Sequence, residues 1–129
     1  MQTFKLINFI SIFLGILLIS ACEYTVVTPD VPPPPPPGDS TSFSLKVQPI
    51  FDAGCNRSGC HSGKVPPDLR QGKSYESLMS MEPETVIPFD GANSELYKVV
   101  QPGGSMAPYG NPTDNAIIKF WIDEGAKNN

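Results

Sequence analysis

The sequence predicts a small all-α domain of short helices and long loops in residues 42–129. Apolar residues recur at helical spacing near both ends of this region, and no stretch alternates apolar and polar residues over a useful strand length. The middle is rich in proline and glycine, which interrupt regular structure. A region of this length holds one domain and no more.

The first predicted helix starts at the beginning of this domain. Ser42 is a suitable N-cap, and Pro49 predicts a kink or an interruption. Four apolar residues share one face of the helix: Phe43, Val47, Ile50 and Phe51.

Two short helices are predicted in the middle of the domain. Ser74 is the expected cap of a helix over residues 75–80, and Ser94 is the expected cap of a helix over residues 95–100. The only β-like fragment, residues 85–87, is too short to predict a strand.

The last helix has the clearest pattern. Thr113 or Asp114 is expected to start it, and Gly125 is expected to end it. Its apolar stripe consists of Ile117, Ile118, Trp121 and Ile122.

The amino terminus, residues 1–21, has the pattern of a secretory signal peptide. Lys5 precedes an apolar run that is too short for a comfortable membrane span of about twenty residues. The run ends in Ile-Ser-Ala-Cys at residues 19–22, which resembles the lipobox of bacterial lipoproteins and implies a lipid on Cys22. The alternative is an uncleaved anchor helix. Both interpretations hold the domain at a membrane outside the cytoplasm, on the periplasmic side or at the cell surface.

Residues 22–41 are predicted to be a disordered, proline-rich linker after the lipidated cysteine. The unbroken proline run from Pro32 to Pro37 favours a stiff polyproline II rod, roughly 19 Å long at about 3.1 Å per residue. Such a rod would hold the domain away from a membrane surface. The alternative is a proline-rich ligand for a partner domain.

The charge of the chain excludes one class of partner. Nine Lys and Arg face thirteen Asp and Glu, which gives a formal net charge of −4, and no basic residues cluster. Nucleic acid is therefore not an expected partner.

The most informative segment is Cys55-Asn-Arg-Ser-Gly-Cys60-His61. Two cysteines followed at once by a histidine are the pattern for covalent attachment of a c-type haem. The two thiols add to the two vinyl groups of the porphyrin, and the adjacent imidazole binds the iron from one face. His61 is the only histidine of the chain, so its position directly behind Cys60 is unlikely to arise by chance.

Three other interpretations of the cysteines compete. Cys55 and Cys60 could form a disulfide in an oxidising compartment. They could belong to a zinc site, although no further cysteine or histidine remains to complete four ligands once Cys22 is assigned to lipid. They could form a redox pair, although such pairs normally have two intervening residues.

The spacer between the cysteines has four residues instead of the usual two. Residues five apart are turned about 140° from each other on a regular helix, so this spacer must loop out. Asn56, Ser58 and Gly59 tolerate a loop, and Gly59 can take a positive φ. Arg57 is either a solvated loop charge or a partner for a haem propionate.

A helix before the cysteine segment and an aromatic-bearing last helix resemble the frame of small c-type cytochromes. Cys60-His-Ser-Gly63 and Trp121-Ile-Asp-Glu-Gly-Ala126 are similar to the planctomycete-type cytochrome c domain over about residues 43–126. The resemblance implies a class I cytochrome c fold around one haem, with the iron held by His61 and a downstream methionine.

Met106 matches the methionine that the family places in a loop before the last helix. Its thioether is a soft, neutral ligand, and the adjacent glycines allow the backbone to approach the ring. In the family a proline often follows the methionine directly, whereas here Ala107 intervenes. Met79, better explained by core packing, and Met81 are rivals, and an open sixth site is a further alternative.

The sequence thus predicts a membrane-tethered monohaem c-type cytochrome. It would transfer single electrons between redox protein partners and catalyse no reaction on a substrate. Two alternatives remain: a haem-based sensor or ligand-binding module with an open sixth site, and a surface lipoprotein with a disulfide and no haem.

Overall fold

The computed structural model describes residues 40–129, and these residues form short helices joined by loops, without a β-strand. The predicted all-α class is therefore confirmed for this part of the chain. The predicted signal peptide 1–21, Cys22 and all but the last two residues of the predicted linker 22–41 lie outside the described residues. Within residues 40–129, no helix has the length and apolar character needed to cross a membrane.

Helix α1 runs from the predicted cap to the first cysteine in three consecutive pieces. Phe43–Val47 and Phe51–Cys55 are π-helical, and Gln48–Ile50 between them is α-helical. The predicted N-cap is confirmed, because the Ser42 hydroxyl accepts a hydrogen bond from the Leu45 amide at 3.2 Å.

One face of α1 is buried as the apolar spacing predicts. Phe43, Val47 and Phe51 are at most 5 % exposed, and Ile50 packs against them at the edge of the core. Pro49 lies on the exposed face and does not break the helix. Because proline has no N–H and crowds the carbonyl one turn back, the wider π-helical turns on both sides let the helix continue past it.

Helix α2 spans Ser74–Ser80 and begins one residue earlier than predicted. Ser74 is its first residue and not its cap, since its buried hydroxyl donates to the side-chain oxygen of Gln48. Gln48 in turn donates to the Asp52 carboxylate at 2.8 Å and to the Leu69 carbonyl at 3.1 Å. This buried polar group joins α2 and the preceding loop to α1.

Helix α3 spans Glu95–Val100, as predicted. Ser94 takes the expected extended conformation before it, but its hydroxyl does not cap the helix. The hydroxyl accepts from the Ile87 amide at 2.8 Å and donates to the Asp90 carbonyl at 2.9 Å. Ser94 therefore holds the preceding loop in place.

Helix α4, Pro112–Asp123, begins slightly earlier than predicted. Its cap is Asn111, not Thr113 or Asp114, because the Asn111 side-chain oxygen accepts from the Asp114 amide at 2.9 Å. The predicted end is confirmed, since Gly125 follows the helix with a φ of 98°.

The core lies where α4 crosses the first turns of α1 and the start of α2. Ile118, Trp121 and Ile122 of the predicted stripe are at most 2 % exposed. The ring centroid of Phe43 lies 5.1 Å from that of Trp121 and 5.4 Å from that of Tyr75. Aromatic rings packed edge-to-face or at a tilt in this way contribute large apolar area and add to the stability of the core.

Asn129 accepts hydrogen bonds from the amino-terminal end of α1. The Asn129 side-chain oxygen accepts from the Phe43 amide at 2.9 Å, and its main-chain oxygen accepts from the Ser44 amide at 2.9 Å. These bonds satisfy two of the free N–H groups at a helix start. The two ends of the domain therefore meet at the end of α1 that lies farthest from Cys55.

Candidate functional site

A cavity of about 390 Å³ lies between the carboxyl-terminal end of α1, α3, the first two turns of α4 and two loops. This volume falls in the range of cofactor and ligand sites, about 300–1,000 Å³. Most of the lining side chains are apolar. The structure brings all four residues of the predicted site to this cavity: Cys55, Cys60, His61 and Met106.

The four-residue spacer between the cysteines loops out, as predicted. The Cys60 amide donates to the Arg57 carbonyl at 2.9 Å, which closes a turn, and Gly59 has a φ of 86°. The His61 amide then donates to the Cys55 carbonyl at 3.1 Å. The backbone therefore returns to the end of α1, and both cysteines reach the same cavity despite the long spacer.

The His61 imidazole is held through one nitrogen. Its Nδ1 lies 3.1 Å from the Pro67 carbonyl oxygen and 3.3 Å from the Val65 carbonyl oxygen. Carbonyl oxygens only accept hydrogen bonds, so Nδ1 carries the proton and donates it. This tautomer leaves the Nε2 lone pair free, which is the arrangement of a histidine that binds a metal.

The segment after His61 contains an ion pair between Asp68 and Arg70. Arg70 donates to both carboxylate oxygens of Asp68, at 2.9 Å from Nε and 2.6 Å from Nη2. These bonds lower the pKa of Asp68 from its ordinary value of 3.8 to about 2. Gly63 has a φ of 97°, a conformation that residues other than glycine rarely adopt, so glycine is favoured there.

The two thiols are not joined in a disulfide. Burial raises the pKa of the Cys55 thiol above its ordinary value, and the Asp114 carboxylate and Cys60 raise it further, while Arg57 acts in the opposite direction. The protonated thiol is therefore favoured at neutral pH. The Arg57 guanidinium is exposed, donates to the Ala53 carbonyl at 3.0 Å and does not line the cavity, in keeping with a solvated loop charge.

Met106 reaches the cavity because its loop folds back onto α3. The Met106 amide donates to the Val99 carbonyl at 2.8 Å. A Cβ on Gly104 would lie 2.3 Å from that carbonyl oxygen, so the loop can approach α3 only with glycine at this position. A 3₁₀ turn, Ala107–Tyr109, follows directly.

The rival methionines lie elsewhere. Met79 and Met81 are each 37 % exposed, and neither lines the cavity. Among the methionines of residues 40–129, only Met106 does so. The expected core packing of Met79 is wrong, because its neighbour Leu78 takes the buried position of α2.

One lining residue was not predicted from the sequence. Asn115 of α4 is 8 % exposed, and its side-chain nitrogen donates to the Val100 carbonyl at 2.8 Å. Its side-chain oxygen, Oδ1, is buried and has no hydrogen-bond partner. The sequence signal that could have indicated Asn115 is its position, since it places an amide side chain three residues before Ile118, close to the apolar stripe of α4.

Within the part of the chain that the structure describes, no three His, Cys, Asp or Glu side chains are arranged to share a metal ion. Comparison of the chain with protein-family models, with curated proteins and with solved structures gives no match.

Proposed function

We propose that the domain holds one covalently attached haem c in a class I cytochrome c-like fold and carries single electrons outside the cytoplasm. A lipid on Cys22 would tether it to a membrane, and its partners would be redox proteins. One observation supports this proposal above all: Met106, which is distant in the sequence, lines the same apolar cavity as Cys55, Cys60 and His61.

The residues of the cavity fit a haem in chemistry as well as in position. Cys55 and Cys60 offer two thiols for thioether bonds, and His61 offers a free Nε2 whose ring orientation is fixed by backbone carbonyls. Met106 offers a soft thioether sulfur from the loop before α4. When bound, the haem would supply an iron that alternates between the ferrous and ferric states.

The apolar walls would keep water away from the iron. Phe51 and Ile118 are at most 2 % exposed and Leu96 is 8 % exposed, and all three line the cavity. A dry, low-dielectric wall and a methionine ligand both favour a higher reduction potential than a solvated bis-histidine site would have.

The rim of the cavity is accessible to a partner. Val65 and Tyr109 line the cavity and are 45 % and 60 % exposed, respectively. Exposed apolar and aromatic side chains beside a redox site suit a brief contact with another protein. A carrier needs such an opening, since the electron has to pass between two proteins.

The position of the rim relative to the linker supports a tethered carrier. The described chain enters the domain at the amino-terminal end of α1, whereas Cys55 ends this helix. An α-helix of residues 43–55 would rise by roughly 18 Å, and α1 is somewhat shorter because most of it is π-helical. The linker would therefore leave the cavity rim free.

Redox and ligand-binding measurements on the haem-loaded protein test this function. We expect a reversible titration that fits one electron, and a reduced form whose spectrum does not change under carbon monoxide, because Met106 occupies the sixth position. Ready binding of carbon monoxide by the wild-type protein would favour the sensor alternative instead. Colourless protein with a Cys55–Cys60 disulfide would favour the lipoprotein without haem.

A further inference from the structure

Asn115 lines the cavity, and its side-chain oxygen, which is buried within the wall, is the polar atom there that is least explained. It is shielded from solvent and accepts no hydrogen bond. Leaving a buried acceptor without a partner is destabilising, and native proteins contain few such atoms. An apolar residue of similar size would avoid this penalty at position 115, so the oxygen requires an explanation.

The orientation of the Asn115 amide is fixed by two contacts. The side-chain nitrogen donates to the carbonyl of Val100, the last residue of α3, at 2.8 Å. Rotating the amide by half a turn would place two acceptor oxygens against each other. On the other side, a Cβ on Gly110 would lie 2.8 Å from Oδ1, so the absence of a side chain at Gly110 leaves room for this oxygen.

The result is a fixed dipole in the wall of the cavity. Asn115, Gly110 and Val100 all line the cavity, together with Met106. The positive end of the amide is neutralised by the Val100 carbonyl, whereas the negative end at Oδ1 has no compensating group. In an apolar wall, such a dipole acts on nearby charge more strongly than it would in water.

We infer that Asn115 is a positioning residue that tunes the redox site, with Oδ1 favouring the oxidised state of the iron. This inference rests on the proposed function. Oxidation would add one positive charge to an iron held in the cavity, and an uncompensated oxygen on a residue that lines the cavity would stabilise that charge. Asn115 thereby lowers the reduction potential that the apolar walls and Met106 would otherwise set.

Asn115→Leu tests the inference, because leucine has a similar size and no oxygen. At a fixed applied potential, we expect the ratio of oxidised to reduced protein to fall by about three- to tenfold relative to the wild type. Ile118→Leu measures how far a change of shape in the cavity wall moves this ratio by itself, and the change in Asn115→Leu has to exceed it. Asn111→Ala is the matched control for stability, because it removes the cap of α4 and lies outside the cavity.

The outcomes separate this inference from the proposed function. A pyridine haemochrome spectrum first establishes haem content, and a wild-type protein that takes up no haem overturns both. If haem-loaded Asn115→Leu keeps the wild-type ratio of oxidised to reduced protein, the role of Asn115 is overturned and the proposed function is not. The same conclusion follows if Asn111→Ala changes this ratio as much as Asn115→Leu does. If Asn115→Leu does not fold, Asn115→Val, which also lacks the oxygen and is smaller, is measured in its place and is expected to shift the ratio in the same direction.

Discussion

The carbonyl oxygen of Tyr109 lies 2.9 Å from the point that a Cβ on Gly54 would occupy. Gly54 belongs to the last turn of α1, directly before Cys55, and Tyr109 ends the 3₁₀ turn that follows Met106. The backbone next to Cys55, a proposed attachment cysteine, is therefore in direct contact with the turn that follows Met106, the proposed sixth ligand. The width of the cavity at this point depends on a glycine.

Gly54→Ala is expected to destabilise the domain, by about 1–3 kcal/mol, because the new methyl group would meet a backbone oxygen that cannot move freely. The direction of the change in stability is informative, because replacing glycine by alanine inside a helix normally stabilises the protein by roughly 0.5–1 kcal/mol. Urea unfolding gives the free energy of unfolding directly.

Ala53→Gly is the matched control for Gly54→Ala. Ala53 is the exposed neighbour on the same turn, so this change alters helix propensity without touching the cavity. It should cost about 1 kcal/mol and leave haem content unchanged. A Gly54→Ala protein at least as stable as the wild type would contradict the close contact.

Two adjacent glycines allow a second test at the Met106 loop. Gly103 has a φ of 91° and open space around its Cβ position, whereas a Cβ on Gly104 would collide with the Val99 carbonyl. Gly103→Ala should therefore cost only the strain of a positive φ, about 1 kcal/mol.

Gly104→Ala should cost more than Gly103→Ala and should also disturb the sixth position. The collision pushes the loop away from α3 and breaks the bond from the Met106 amide to Val99. We expect carbon monoxide to bind the reduced form of Gly104→Ala but not of Gly103→Ala. Equal behaviour of the two variants would show that the loop does not depend on the close approach.

Met106→Leu tests the sixth ligand itself. Leucine has a similar volume and no sulfur, so this side of the cavity stays filled while the proposed iron ligand is removed. The spectra of both oxidation states should change, and carbon monoxide should bind the reduced form. Met81→Leu is the control, since Met81 does not line the cavity. Wild-type spectra in Met106→Leu would contradict the assignment.

The Asp68–Arg70 ion pair, in the segment that follows His61, predicts how stability depends on pH. The pKa of Asp68 is lowered in the folded state, so the contribution of its ionised form to stability is present above the ordinary value of 3.8 and is lost as the pH falls towards about 2. Carboxyl carbon shifts measured by NMR should show a midpoint near 2 for Asp68.

Arg70→Gln should return the midpoint of Asp68 towards 3.8, because the side-chain hydrogen bonds from Arg70 are the largest cause of the shift. Lys73→Gln is the control, since its charge is the smallest of the contributions. An Asp68 midpoint that stays near 2 in Arg70→Gln would show that another group holds the carboxylate.

Much of the fold follows from patterns that act over short distances. The apolar spacing of Phe43, Val47 and Phe51 and the positive φ at Gly125 are local properties, and the structure agrees with both. The positive φ at Gly59 was predictable for a similar reason. Two cysteines five residues apart can face the same side only if the spacer leaves the helix, and glycine is suited to the turn that this requires.

The differences arise where tertiary contacts compete for a side chain. Ser74 and Ser94 have the chemistry of helix caps, but Gln48 and the Ile87–Asp90 loop use their hydroxyl groups instead. Asn129 fastens the start of α1 across the whole domain, which no local pattern could indicate.

The residues of the candidate site also differ in how far the sequence predicts them. The order Cys-Cys-His is visible in the sequence because it matches the pattern for haem attachment. Asn115 was not predicted, because its importance depends on Val100 and Gly110, which approach it only in the folded chain.

Haem attachment itself can be measured on protein produced together with a c-type maturation system. Intact mass and a pyridine haemochrome spectrum should reveal one haem per chain with both vinyl groups converted to thioethers, and Cys55→Ser or Cys60→Ser should each leave one vinyl group unreacted. Colourless protein with only the mass of the polypeptide and its acyl groups would contradict the proposed cytochrome.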